Sequence, residues 1–104
     1  MKVLHLTLKK KWFDMIASGE KKEEYLEIKR HWISRIIPSG NLIDDCRDFS
    51  AIEFKNGYSQ NAPTMLVRCE EIDIGQGDPE WGAEPGKEYF VIKLGKIIST
   101  TFKH

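Results

Sequence analysis

Cysteine is scarce in this chain: Cys46 and Cys69 are the only two among 104 residues, and they form no C-x-x-C pair. That excludes both a disulfide framework and the paired-thiol pattern of a zinc site, so both read as reduced thiols, Cys69 as a core residue. Long apolar runs are also missing. No segment approaches the roughly eighteen residues of a spanning helix. The opening "MKVLHLTLKKKW" lacks the continuous apolar stretch and small-residue cleavage site of a secretory leader. No membrane partner is expected, and a cytoplasmic location follows by default. His5, His31 and His104 are scattered without ligand spacing, and His5 reads as a hydrogen-bonded structural residue. Asp44, Asp45 and Asp48 lack the glycine and closing glutamate of a calcium loop, and "GQGD" after Ile74 lacks the strand-to-helix setting of a phosphate loop. Neither metal nor cofactor is expected.

There is no net charge of either sign, since 16 Lys and Arg balance 16 Asp and Glu. The balance is uneven along the chain, however: residues 1 to 35 carry nine basic against five acidic side chains, and the remainder seven against eleven. A basic first third could face a phosphate backbone, or it could fold against the acidic remainder and neutralise it. Apolar content of 40% in a chain this short supports one core, hence a single domain over residues 1 to 104.

The pattern is a series of short elements without repeats or linkers. "VLHLTL" alternates with period two, placing Leu4, Leu6 and Leu8 on one face of a strand. "KWFDMIAS" has helical spacing, with Gly19 at the position of a left-handed stop. "EEYLEIK" returns to period two, and "RHWISRII" is a second short helix ended by Pro38 and Gly40, with Trp32 in its apolar stripe. "PSGNLIDDCRD" reads as a loop. "FSAIEFKNGYS" reads as a strand entering a tight Asn56-Gly57 turn, with "TMLVRCEEIDIG" as its hairpin partner. The Gly- and Pro-rich segment 75 to 87 is irregular. "KEYFVIKLGKII" is a last strand with Phe90, Ile92 and Leu94 on one side. Five to six strands and two short helices predict an α+β domain built on a curved, barrel-like sheet.

The stretch "SGEKKEEYLEIK" is dense in charge, which ordinarily means a solvated strand edge protected against aggregation. Strand parity complicates that reading. Glu24 shares a face with Leu26 and Ile28, and a carboxylate among aliphatic side chains needs a partner. Lys21 is the nearest cation, but a spacing of three sends two strand residues to opposite faces. They meet only if Lys21 precedes the strand, in the turn after Gly19, or lies beside a bulge.

The first strand, the helix "WFDMIASG" and then Gly19, Lys21 and Glu24 in the order G-x-K-x-x-E resemble the ASCH domain family. "EYFVIKLGKI" is similar to that family's closing strand, and the likeness spans residues 2 to 98. It implies a PUA-like β-barrel. Many members continue the motif to an arginine where this chain has Leu26, which leaves Lys29 or Arg30 as substitutes. The family resemblance implies RNA or a nucleotide-like ligand as partner, in a cleft floored by Gly19, Lys21 and Glu24. Lys21, Lys22, Lys29 and Arg30 would then meet phosphates, and Tyr58 or Trp81 would stack on a base.

Small single-domain members resemble amidohydrolases that deacetylate N4-acetylcytidine, using the motif lysine, the residue three positions on and a later acid. Carried over, these are Lys21 as nucleophile or oxyanion-stabilising cation, Glu24 as general base, and Glu84 (or Glu80) as proton donor. The second of these positions is a hydroxyl residue in such members and a glutamate here. A third expectation is a non-catalytic module that takes another ligand, a small molecule or a protein. No oligomeric state is read from the sequence.

Overall fold

The computed structural model describes residues 2–37 and 49–102. Its elements run β1 (Val3–Leu8), α1 (Lys10–Ala17), β2 (Glu23–Glu27), α2 (Arg30–Ile36), β3 (Ala51–Asn56), β4 (Thr64–Gln76), a short 3-10 turn (Pro79–Trp81) and β5 (Glu88–Thr100). The expected loop at 38 to 48, with Cys46 and the three aspartates, lies outside the described residues.

One sheet of order β1-β3-β4-β5-β2 organises the domain. β1 runs parallel to β3, and every other neighbour is antiparallel. The long β4–β5 pair shifts register three times between Leu66 and Glu71. Such bulges bend and twist a sheet, and this one curls into a mixed half-barrel. Its concave side holds Leu4, Leu6, Ile52, Phe54, Met65, Val67, Phe90 and Ile92, all buried. α1 adds Phe13 and Ile16, one helical step apart on its inner face, and Ile36 and Ile37 come from α2 and its end. Cys69 is buried as well.

One sequence expectation changes here. Asn56-Gly57 does not close a two-residue hairpin: the last β3–β4 pair is Lys55 with Thr64, and the chain makes a longer excursion through Tyr58 to Pro63. A type I′ turn needs positive φ at both central residues. Gly57 has it, at +88°, but among the described residues no non-glycine does, Asn56 included. Instead the Gly57 N–H donates to the Leu8 carbonyl at 3.0 Å, which ties this loop to the end of β1. In β5 both faces are covered, because Tyr89 and Val91 are buried along with Phe90, Ile92 and Leu94. His5 faces outward, with Nδ1 3.1 Å from Glu53 Oε1, its partner in the β1–β3 register.

Among the described residues no helix is long and apolar enough to cross a membrane.

Candidate functional site

One glycine and one backbone bond set the position of Lys21. α1 stops at Gly19, whose φ of +85° turns the chain back on itself. The Lys21 N–H then donates to the Met15 carbonyl at 2.9 Å. Lys21 therefore lies in the turn before β2 begins at Glu23, so strand parity does not govern it. Its side chain folds onto the inward-facing residue of the strand, and Nζ donates to Glu24 Oε2 at 3.0 Å. The Lys21 side chain is wholly inaccessible, while that of Glu24 keeps 10% of its exposure.

The ammonium is enclosed by aromatic rings, 5.1 Å from the Trp12 centroid and 5.5 Å from that of Tyr25. Their electron-rich faces compensate part of its lost hydration. Burial holds the Lys21 pKa below its ordinary value, with the charge and hydrogen bond of Glu24 opposing that shift. Glu24 Oε1 accepts from the Tyr25 N–H at 2.9 Å, so each carboxylate oxygen has a donor inside the protein.

The connection between β4 and β5 is seated on this cluster. The Tyr25 hydroxyl donates to Glu23 Oε1 at 2.8 Å and accepts from the Asp78 N–H at 2.9 Å. Its pKa is raised, mainly by burial and further by the Glu23 carboxylate. The Tyr89 hydroxyl accepts from the Glu84 N–H at 3.0 Å, and the Tyr25 and Tyr89 rings lie 5.7 Å apart. Close approach explains two glycines: a methyl at Gly77 would come within 2.6 Å of the Tyr25 ring and of Ala83 Cβ, and one at Gly82 within 3.0 Å of Trp12.

β1 and β2 are the two outer strands of the sheet, and a cleft of about 380 Å³ lies between them. Its walls are β1 from His5 to Leu8, β2 from Glu24 to Leu26, Trp32 of α2 and Tyr58. That volume falls within the range of small-molecule sites. A separate pocket of about 220 Å³ has Gly19, Lys21, Lys22 and Lys96 on its rim. The ion pair thus stands as a partition, with Lys21 on the side of the small pocket and Glu24 on the cleft.

The other expected residues separate in space. Tyr58 is 89% exposed at the cleft mouth, and Lys29 and Arg30 are exposed where β2 leads into α2. Trp81 is half-buried in the 3-10 turn; it is Trp12 and Tyr25 that enclose the lysine and Trp32 that walls the cleft. Glu80 and Glu84 are both exposed, and neither carboxylate bonds to Lys21 or Glu24. Trp12 carried no sequence signal for this role, because its spacing to Ile16 placed it with the core. Among the described residues no cluster of His, Cys, Asp or Glu could hold a metal ion. The chain matches no family model, no curated protein and no solved structure.

Proposed function

We propose that this chain is a PUA-like, ASCH-type barrel that binds RNA or a nucleotide-like ligand in the cleft between β1 and β2. The observation that carries the reading is Glu24. It is a carboxylate fixed from behind by Lys21 and by the Tyr25 N–H, with its remaining exposure on a cleft walled by Trp32 and Tyr58. A fixed carboxylate accepts from the exocyclic amino group or ring N–H of a base, and the aromatic walls offer stacking surface. Lys21 has no exposure, so phosphates fall to the exposed Lys22, Lys29 and Arg30. Titration of a short single-stranded RNA at low salt, read from the intrinsic fluorescence of Trp32 and its neighbours, should show saturable binding. The affinity should weaken as salt rises, through counterion release. Absence of binding at low salt overturns the reading.

One observation favours a second reading, amide hydrolysis on an acetylated nucleoside such as N4-acetylcytidine. A buried lysine of lowered pKa touching a carboxylate is a combination that catalytic sites use. In that reaction Glu24, held in place by its hydrogen bond from Lys21, takes a proton from water as it adds to the acetyl carbonyl. The C–N bond then breaks, with a proton passing to the departing amine. Glu84, the donor implied by the resemblance, is exposed and bonds to neither residue, so the protonated Glu24 would return that proton. Following the absorbance change on release of cytidine tests this. Turnover undiminished in Lys21→Met sinks it, and saturable binding without turnover leaves the non-catalytic reading.

A further inference from the structure

We infer that the cleft takes an internal nucleotide of a single strand, with one flanking phosphate gripped at each end, rather than a free nucleoside. The inference rests on the nucleotide-binding reading of the same cleft. Three features of the fold carry it.

The first is direction. β1 is parallel to β3, and the successive antiparallel pairings β3–β4, β4–β5 and β5–β2 leave β2 running opposite to β1. The end of β1 and the start of β2 therefore share one end of the cleft, and the start of β1 and the end of β2 share the other. Four β1 residues line the cleft, a length of about 10 Å at the usual strand rise.

The second is charge. One end leads straight from Leu8 into Lys9, Lys10 and Lys11, and the Gly57–Leu8 hydrogen bond brings the exposed Tyr58 loop to that same end. The other end leads from β2 into Lys29 and Arg30. Glu24, the first of the β2 residues on the cleft, stands toward the Lys9 end, and cations flank the cleft at both ends.

The third is availability. Lys10 pairs with Asp14, and Lys11 lies over the Trp12 ring, but Lys9, Lys29 and Arg30 have no ion-pair partner among the described residues. Three lysines in succession at the start of α1 also oppose the helix dipole, each at a cost of some tenths of a kcal/mol. Among the described residues Lys9 has no local partner to offset that cost.

The test compares cytidine, its 5′-monophosphate and its 3′,5′-bisphosphate, with ribose 5-phosphate as control, by calorimetric titration of the full chain at low salt. Each phosphate should tighten binding about fivefold, the scale of an exposed charge pair. Lys9→Ala should remove one step, and the double variant Lys29→Ala/Arg30→Ala the other, lowering the ratio of bisphosphate to cytidine affinity each time. All three side chains are exposed, so these variants fold. Cytidine bound as tightly as its bisphosphate, or ratios unmoved by both variants, overturns the two-ended grip while leaving the base-binding reading intact. A bisphosphate that binds no better than ribose phosphate, with cytidine not bound at all, overturns the base-binding reading instead. No binding of any of the three overturns both.

Discussion

Breaking the Lys21–Glu24 pair one side at a time should be far more damaging than removing both sides. The Lys21 side chain has no exposure and that of Glu24 only 10%, so the lysine recovers no hydration and the carboxylate little if its partner is lost. Removing one member of a buried pair costs about 3–5 kcal/mol, against a total of about 5–15 kcal/mol for a domain. Lys21→Met keeps the aliphatic stem between Trp12 and Tyr25 but leaves the carboxylate with only the Tyr25 N–H. Because that carboxylate still reaches the cleft, a cost near the lower bound, about 3 kcal/mol, is expected. Glu24→Met leaves an ammonium that can shed its proton, so its cost should shrink as pH rises. The double variant replaces the pair by two packed thioethers and should lie within about 1 kcal/mol of the parent, a coupling of about 3 kcal/mol or more. Urea unfolding followed by tryptophan fluorescence measures all four species. Thermal midpoints of the single variants should fall by roughly 12 °C or more. Single variants that each cost under about 1 kcal/mol, or a double variant equal to their sum, would show that the pair is hydrated in solution, and the reasoning from burial would fail.

Three further outcomes follow from the same cluster. Because burial lowers the folded pKa of Lys21 below its ordinary 10.5, the unfolded chain binds more protons between those two values. Stability should therefore rise with pH across that window, and Lys21→Met should lack this slope. Tyr25 has the opposite sign: its pKa is raised above the ordinary 10.0, so stability should fall above that pH, and Tyr25→Phe should blunt the fall. That same variant removes the acceptor for the Asp78 N–H and should cost about 1–2 kcal/mol, with faster amide exchange at Asp78. Gly77→Ala drives a methyl into Tyr25 and Ala83, so it should cost about 1–3 kcal/mol and unseat the connection to β5; calorimetry that shows no loss would mean that this loop is displaced at little cost.

Side-chain period was enough to read most elements. Leu4 and Leu6 turn inward as alternation requires, Gly19 stops α1 with positive φ, and Glu24 shares the buried face with Leu26. The condition under which Lys21 could meet Glu24, a place in the turn before the strand, is the one the fold adopts. What stayed hidden depends on contacts far apart in sequence. The Asn56-Gly57 signal is local, whereas the loop it enters is held by the Leu8 carbonyl 49 positions earlier. Trp12 lies beside both Lys21 and Gly82 of the 77-to-87 connection, a juxtaposition that no helical spacing encodes. The cleft itself exists because β1 and β2, close in sequence, end up as opposite outer strands. Topology decides that, and residue period does not.

Three local preferences are broken in this molecule, and all three meet at one place. A buried ion pair is no better for stability than an apolar pair of equal volume. Cations crowd the start of α1, where the dipole disfavours them. Two outer strands face each other across an open gap, although unpaired strand edges invite aggregation and are usually closed or protected. Each feature alone has a structural excuse, such as fixing the angle of β2 or keeping an edge charged. Together they put an acceptor, aromatic surface and two separated cationic ends around the same gap, the arrangement on which the proposed holding of a base between two phosphates rests. Sequence rules fail most informatively where function competes with stability, and the β1–β2 cleft is where they fail here.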